Sequence, residues 1–207
     1  MKKGIVHRLF VLLLVISVVS CGARKSPIEA GFWDKGTFTN SWLNMSVALP
    51  TEFRILDAQE ANTLLGLKEG VYVNNGKKLL AQDLKDLTTF YDFSVVCSEP
   101  LVSISLYYEN LLKGWRKNLT PRKYFDQLCK SLNKTGKNLP DFTFSSSESP
   151  MIIAGEEYFI GYAHMEGLVY HDYYIRKVDD AMVVIAITYT ASGTDLVGLF
   201  LSSIATP

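Results

Sequence analysis

Apolar and polar residues alternate through most of the second half of the chain. The alternating segments cover 142–153, 158–165, 168–177 and 182–190, and short polar turns containing glycine or aspartate separate them. An apolar–polar period of two is typical of β-strands that bury one face. The last segment includes the apolar run VVIAIT, which suits a strand in the middle of a sheet. This half of the chain therefore predicts a series of neighbouring strands.

Helical and strand patterns are mixed in the first half. Asp57 and Glu60 have the spacing of a capping box, which predicts a helix that begins there. Thr120 followed by Pro121 is a favoured helix start. Further helices are predicted over 77–87 and after 192–194, and further strands over 37–43, 45–49, 71–73, 89–98 and 102–108, the last two forming an antiparallel hairpin. This order predicts an α+β fold, an antiparallel sheet with helices packed on it.

The first 20 residues follow a different pattern, that of a secretory signal. Lys2, Lys3 and Arg8 give a positively charged start, and the apolar run 9–19 follows it. That run is about half of the ~20 residues that a membrane-spanning helix requires. A short apolar run behind a basic start is typical of a signal peptide that is removed. Residues 1–20 are therefore predicted to be a signal peptide.

The signal ends in Val18-Val19-Ser20-Cys21, which resembles the lipobox of bacterial lipoproteins. The resemblance implies cleavage between Ser20 and Cys21 and attachment of acyl chains such as palmitate to Cys21. Two or three chains at about 0.8 kcal/mol per buried CH₂ give lasting membrane attachment. An ordinary cleaved signal and an uncleaved anchor are the alternatives. Residues 21–35 are predicted to be a lipidated tether, and residues 36–207 a single domain.

Composition excludes several classes of partner. The chain of 207 residues has 21 basic and 21 acidic residues, and loss of three basic residues with the signal lowers the net charge to −3. Such a balance gives no basic patch for nucleic acid or for an anionic membrane surface. No phosphate-binding glycine motif is complete, so no cofactor is expected.

Two cysteines remain besides Cys21. Cys97 falls on the apolar side of a predicted strand, and Cys129 falls on the apolar stripe of a predicted helix. Unpaired cysteines behave as small buried hydrophobic residues, so two buried thiols are favoured. A disulfide, which an exported protein could form, and a reactive thiol are the alternatives.

Four short motifs occur in an order that resembles lipoproteins of Gram-positive gut bacteria (Firmicutes type). They are the run 38–50 (FTNSWLNMSVALP), Tyr91-Asp92, Tyr108-Glu109-Asn110 and Tyr173-Tyr174-Ile175-Arg176-Lys177. The resemblance covers about residues 36–205. The order of elements is also similar to the photosystem II subunit PsbP and to the Ran nucleotide-release factor. These resemblances imply a PsbP-like fold and an extracytoplasmic location, but no activity.

The residues that could carry catalysis or bind metal are few. His164 and His171 lie on neighbouring predicted strands. A two-residue turn at Gly167-Leu168 would place them opposite each other, and a turn at Glu166-Gly167 would place His164 against Val169. A pair of histidines without a third ligand makes a poor zinc site. No metal site and no catalytic residue is therefore predicted.

Aromatic residues crowd the same hairpin and form the best candidate binding surface. Half of the residues of a strand face away from the core, so some of these tyrosines should be exposed. Exposed aromatic residues are typical of protein or glycan contact sites, although tyrosine also packs well on sheets. The candidate residues are Tyr158, Tyr162, Tyr170, Tyr173 and Tyr174.

The sequence as a whole predicts a non-enzymatic binding or envelope-associated module. It would be lipid-anchored to the outer face of the cell membrane, with an unknown protein or glycan partner and no nucleic acid. An accessory subunit of a larger membrane complex and a hydrolase of unrecognised type are the alternatives. An exposed aromatic patch would favour binding, and a pocket with His171 beside carboxylates would favour an enzyme.

Overall fold

The computed structural model describes residues 28–65, 71–73, 89–111, 118–135 and 142–207. The strands are β1 Phe32–Asp34, β2 Thr37–Asn40, β3 Met45–Ala48, β4 Arg54–Ile55, β5 Val71–Val73, β6 Thr89–Cys97, β7 Val102–Asn110, β8 Thr143–Ser146, β9 Met151–Ile153, β10 Glu156–Met165, β11 Val169–Val178, β12 Ala181–Tyr189 and β13 Ile204–Ala205. The helices are α1 Ala58–Leu65, α2 Pro121–Thr135 and α3 Thr194–Ser202, preceded by a 3₁₀ turn at Ala191–Gly193. The predicted helix over 77–87 lies outside the described residues.

The strands form two sheets. The large sheet has the order β4-β6-β7-β12-β11-β10-β8, with β5 beside β6 and β9 beside β10, and the small sheet has the order β1-β2-β3-β13. All pairings are antiparallel except that of β5 with β6. The predicted fold class, α+β with antiparallel strands and packed helices, is confirmed.

The large sheet buries both of its faces over much of its width. On one face, Val183, Ile185 and Ile187 of β12 join a core that includes residues of the small sheet and of α3. On the other face, Met182 and Val184 pack in a second core beneath α2. Burial of both faces explains why the sequence of β12 is almost wholly apolar. We call the face toward the small sheet the inner face and the face toward α2 the outer face.

The helices begin where the capping residues predict. Asp57 Oδ1 accepts hydrogen bonds from the backbone N–H groups of Gln59 and Glu60, and Glu60 Oε2 accepts one from the Asp57 N–H. This reciprocal pair is the predicted capping box. At the start of α2, the Thr120 hydroxyl accepts from the N–H of Lys123 at 3.3 Å.

The position of α2 is determined by a glycine in β10. A Cβ atom at Gly161 would lie 2.5 Å from the ring of Phe125, so only glycine lets the helix lie this close to the sheet. Phe125 also contacts Phe159 and Tyr173, with ring centroids 5.9 and 6.0 Å away. As a result α2 lies over β10 and β11.

The two cysteines of the described domain are unpaired, as favoured. Cys97 is buried in the inner core, and Cys129 is half-buried on α2. Burial, followed by the charge of Asp126, raises the pKa of the Cys129 thiol to about 11. A thiol with a raised pKa carries little thiolate at neutral pH and is a weak nucleophile.

The domain begins earlier than predicted. Ile28 packs against the inner core, and Phe32–Asp34 pairs with β2 as the edge strand of the small sheet. Residues 28–35 therefore belong to the domain and not to the tether. The short polar composition of 22–35 concealed this strand, because its packing depends on Trp33 contacting Phe38 and Phe93 from distant parts of the chain.

A buried carboxylate joins the small sheet to the large sheet. Asp92 is 2% exposed and lies in a β-bulge of β6 between Tyr91 and Phe93. Its carboxylate accepts hydrogen bonds from the Gly31 N–H at 2.9 and 3.0 Å and from Asn40 Nδ2 at 2.9 Å. It also accepts one from the hydroxyl of Tyr108. These bonds satisfy a charge that would otherwise be costly to bury.

Asn40 connects this network to the backbone. Its Nδ2 also donates to the Glu29 carbonyl at 3.0 Å, and its Oδ1 accepts from the Leu43 N–H at 2.9 Å. Gly31 is required at its position because a Cβ atom there would overlap the ring of Phe38. The network thus fixes the incoming chain, β2 and the turn after it against the large sheet.

Replacing Tyr108 with phenylalanine should destabilise the fold by about 2–3 kcal/mol, because the hydroxyl donates to a buried charged group. Tyr107→Phe is the matched control. Its hydroxyl faces the outer core and is 3.5 Å from that of Tyr124, so its loss should cost about 0.5–1 kcal/mol. Urea denaturation of both variants gives the comparison, and equal losses would contradict a special role for the Asp92 network.

Candidate functional site

The candidate site lies on the inner face, at the end of the large sheet that the 3₁₀ turn approaches. His164, Tyr170 and Tyr189 are direct cross-strand partners on β10, β11 and β12. Tyr170 stacks on Tyr189 with centroids 5.4 Å apart, and His164 meets Tyr170 edge-on at 4.9 Å. All three side chains are partly exposed. They form a row of aromatic rings across three strands.

Asp172 lies directly behind this row. It is 6% exposed and faces Tyr162 on one side and Ile187 on the other. Its Oδ1 lies 2.9 Å from His164 Nε2, and its Oδ2 accepts a hydrogen bond from the Tyr189 hydroxyl at 3.1 Å. We call His164, Tyr162, Tyr170, Asp172 and Tyr189 the aromatic–carboxylate cluster.

The carboxylate affects the hydroxyls around it. Burial, followed by the charge of Asp172, raises the pKa values of Tyr162, Tyr174 and Tyr189. These phenols therefore stay protonated at neutral pH and act as hydrogen-bond donors. The cluster presents neutral hydroxyls, ring edges and one partly exposed imidazole to solvent, around a fixed negative charge.

His171 is on the opposite face of the sheet from this cluster. Its Nδ1 lies 2.8 Å from the Thr188 hydroxyl, and its ring lies 5.5 Å from that of Phe142. Burial, and then the charge of His164, lowers the pKa of His171. Asp172, as its neighbour in the strand, points the other way.

Both predicted registers of the hairpin are wrong. Met165 pairs with Val169, so three residues form the turn and His164 lies opposite Tyr170. Each predicted turn had two residues, and a register shifted by one residue moves each side chain to the other face relative to its partner strand. The shift separates the two histidines and brings His164 to Asp172, a pairing that the sequence analysis missed.

The candidate tyrosines do not form one surface. Tyr158 is 0% exposed and Tyr174 is 4% exposed, and both pack in the inner core, so the prediction of a surface position is wrong for them. Tyr173 lies on the outer face beneath α2. Tyr162 and Tyr170 are half-buried members of the aromatic–carboxylate cluster. Tyr189, at the end of an apolar strand, was not among the candidates.

The reactive groups of the cluster are an imidazole, a carboxylate and phenol hydroxyls. His164 and Asp172 form a hydrogen-bonded pair, and the nearby hydroxyls of Tyr162 and Tyr189 are phenols with raised pKa values, which are poor nucleophiles. Among the described residues, no three His, Cys, Asp or Glu side chains lie close enough to hold a metal ion.

A second candidate is a cleft between α2 and the edge strand β8. Its volume is about 520 Å³. Phe125, Cys129 and Phe144 provide its apolar lining, and Arg122 reaches across it to the Ser146 hydroxyl at 3.4 Å. This cleft was not predicted from the sequence. Its only sequence signal was a serine-rich strand beside an amphipathic helix.

Comparisons with known proteins find similarity in structure alone. The chain is similar to LpqN of Mycobacterium tuberculosis, a protein involved in cell envelope biogenesis, with a TM-score of 0.39 and 15% identity over 79% of this chain and 83% of LpqN. It is also similar to the cyanobacterial PsbP of Synechocystis sp. PCC 6803, with a TM-score of 0.48 and 9% identity over 91% of this chain and 98% of that protein. No family model and no curated protein matches the chain.

His171 should make the fold sensitive to acid. Its pKa in the folded protein is below the ordinary 6.5, so the unfolded state binds the proton more readily. Stability should therefore be complete above about pH 6.5 and decrease as the pH falls below it. An NMR titration of the imidazole and urea midpoints measured between about pH 7.5 and 5 test this.

His171→Gln keeps a hydrogen-bond partner for Thr188. It should remove the loss of stability that protonation of His171 causes at acid pH. His164→Gln is the matched control, because burial of His171 persists without His164 and most of the effect should remain. A His171 ring that titrates at or above 6.5 would show that the sign is wrong.

Proposed function

We propose that this protein is a lipoprotein held at the outer face of the cell membrane by acyl chains on Cys21, and that its domain binds a partner and does not transform a substrate. The observation that carries the proposal is the short distance in sequence between the lipobox and the domain. Cys21 precedes Ile28, the first described residue, which packs against the inner core, by only seven residues. No helix in the described part of the chain is long and apolar enough to cross a membrane.

The short tether limits how far the domain can lie from the bilayer. Seven residues span at most about 25 Å when fully extended. Attachment through acyl chains needs no basic patch, which agrees with a net charge of −3 once the signal is removed. The domain would therefore work close to the membrane surface, on a partner in the envelope.

The first described residues of the domain and the candidate site lie at different ends of the large sheet. Gly31 is held at Asp92, beside Tyr108 of β7, whereas Tyr189 pairs with Val102 at the start of that strand. The six residue steps from Val102 to Tyr108 correspond to about 20 Å. This separation would leave the aromatic–carboxylate cluster accessible to a partner while the other end is tethered.

A binding role is supported by how the polar groups of the cluster are used. Both oxygens of Asp172 are hydrogen-bonded within the cluster, Oδ1 with His164 and Oδ2 with the Tyr189 hydroxyl, and His171 bonds Thr188 on the other face. Partly exposed tyrosines around fixed polar groups are common at contact surfaces for proteins and glycans.

Cys21→Ser should abolish incorporation of labelled palmitate and release the protein from the membrane fraction, because the thiol is the site of acylation. Cys129→Ser is the matched control. It removes a half-exposed thiol of the domain and should leave both label and location unchanged. Metabolic labelling followed by cell fractionation gives both readouts. Retention of label by the Cys21→Ser protein would exclude lipid attachment at this residue.

A further inference from the structure

In the part of the chain that the structure describes, one edge of the large sheet lacks the usual protection against strand pairing. Natural edge strands are kept from pairing by very short length, charged residues, proline, bulges or covering elements. The β4 edge is two residues long and contains Arg54. The β8 edge, Thr143-Phe144-Ser145-Ser146, has neither charge nor proline, and its register with β10 is regular. Among the described residues, β10 is the strand with which β8 pairs.

A cleft separates helix α2 from this edge strand. Because Gly161 has no side chain, Phe125 packs directly on β10. Helix α2 therefore contacts β10 and β11, and β8 lies beside its flank. Phe144 pairs with Ala163, a small residue, and its half-buried ring contributes to the lining of the cleft. An extended segment added to β8 would therefore place every second side chain toward Phe144 and the helix flank.

The helix flank carries charges that alternate in sign. Arg122, Asp126 and Lys130 are all exposed and line the cleft at intervals of four residues. Four residues of helix rise about 6 Å, and two residues of strand rise about 6.6–6.8 Å. Alternate side chains of an extended peptide would therefore match these charges one for one.

We propose that this cleft binds an extended peptide segment that pairs with β8 as an added strand. The segment would carry the pattern acidic–x–basic–x–acidic on the side that faces α2. Because the pattern is the same in both directions, it does not depend on whether the segment runs parallel or antiparallel to β8. The proposal rests on the binding role proposed above, adds a second site to it on the outer face, and assigns the class of partner at that site, a polypeptide in extended conformation recognised by its backbone and by alternate charges.

The test uses the full chain purified in detergent and short fluorescent peptides. The probe is Thr-Glu-Thr-Lys-Thr-Glu-Thr, and its control is Thr-Glu-Thr-Glu-Thr-Lys-Thr, which has the same composition and net charge in another order. Fluorescence anisotropy should show binding of the probe that is about three- to tenfold tighter than that of the control. N-methylation of the probe backbone should abolish binding if strand pairing provides the affinity.

A variant in which the three helix charges are reversed tests the order of preference between peptides, whatever their absolute affinities. The triple variant Arg122→Glu, Asp126→Lys, Lys130→Glu keeps the alternation along the helix. It should prefer Thr-Lys-Thr-Glu-Thr-Lys-Thr to its own permuted control, Thr-Lys-Thr-Lys-Thr-Glu-Thr. Urea denaturation checks that the variant is folded.

Three outcomes would overturn the proposal. They are equal affinity for the probe and its permuted control, no binding of any peptide up to about 1 mM, and self-association that occupies the β8 edge with a second copy of the chain. None of them would affect the assignment of Cys21, since palmitate labelling is measured in cells and without any peptide.

Discussion

The buried carboxylate of Asp92 is the interaction on which the arrangement of the two sheets depends. A charge that is 2% exposed is stable only while its donors are in place. Those donors come from separate parts of the chain, namely Gly31 ahead of β1, Asn40 at the end of β2 and Tyr108 in β7. Removing any one leaves the others facing an incompletely bonded charge, so the incoming chain, the small sheet and the large sheet should form as one cooperative unit.

The same network gives physical meaning to motifs that are individually weak. Asn40 belongs to the Phe-Thr-Asn start, Asp92 to the Tyr-Asp pair and Tyr108 to the Tyr-Glu-Asn triplet, and the three side chains meet in one hydrogen-bonded group. Their order along the chain is therefore the order in which the strands reach that group. These motif residues stabilise the fold, so the search for function belongs elsewhere, at the aromatic–carboxylate cluster and the β8 cleft.

Local patterns predicted elements well because their causes are local. The capping box at Asp57, the start at Pro121 and the apolar strand β12 all follow from neighbouring residues. The face of the sheet on which a side chain lies depends instead on single residues in turns and bulges, which composition does not show. One extra turn residue moved His164 from His171 to Tyr170, and the bulge at Asp92 placed Tyr91 and Phe93 on different faces. A surface predicted from tyrosine content was therefore divided between the core and both faces.

The β8 cleft also could not be predicted from local sequence patterns. Its existence depends on one glycine, because a larger residue at 161 would push Phe125 away from β10 and move α2. Nothing in a window around Gly161 indicates a helix 36 residues earlier in the chain. In the folded chain, however, the charges at 122, 126 and 130 lie along the same cleft as the uncharged edge of β8. A site of this kind depends on the distance between a helix and a strand that are far apart in sequence. Only a structure gives that distance, and with it the charges on the helix indicate which partner the site would prefer.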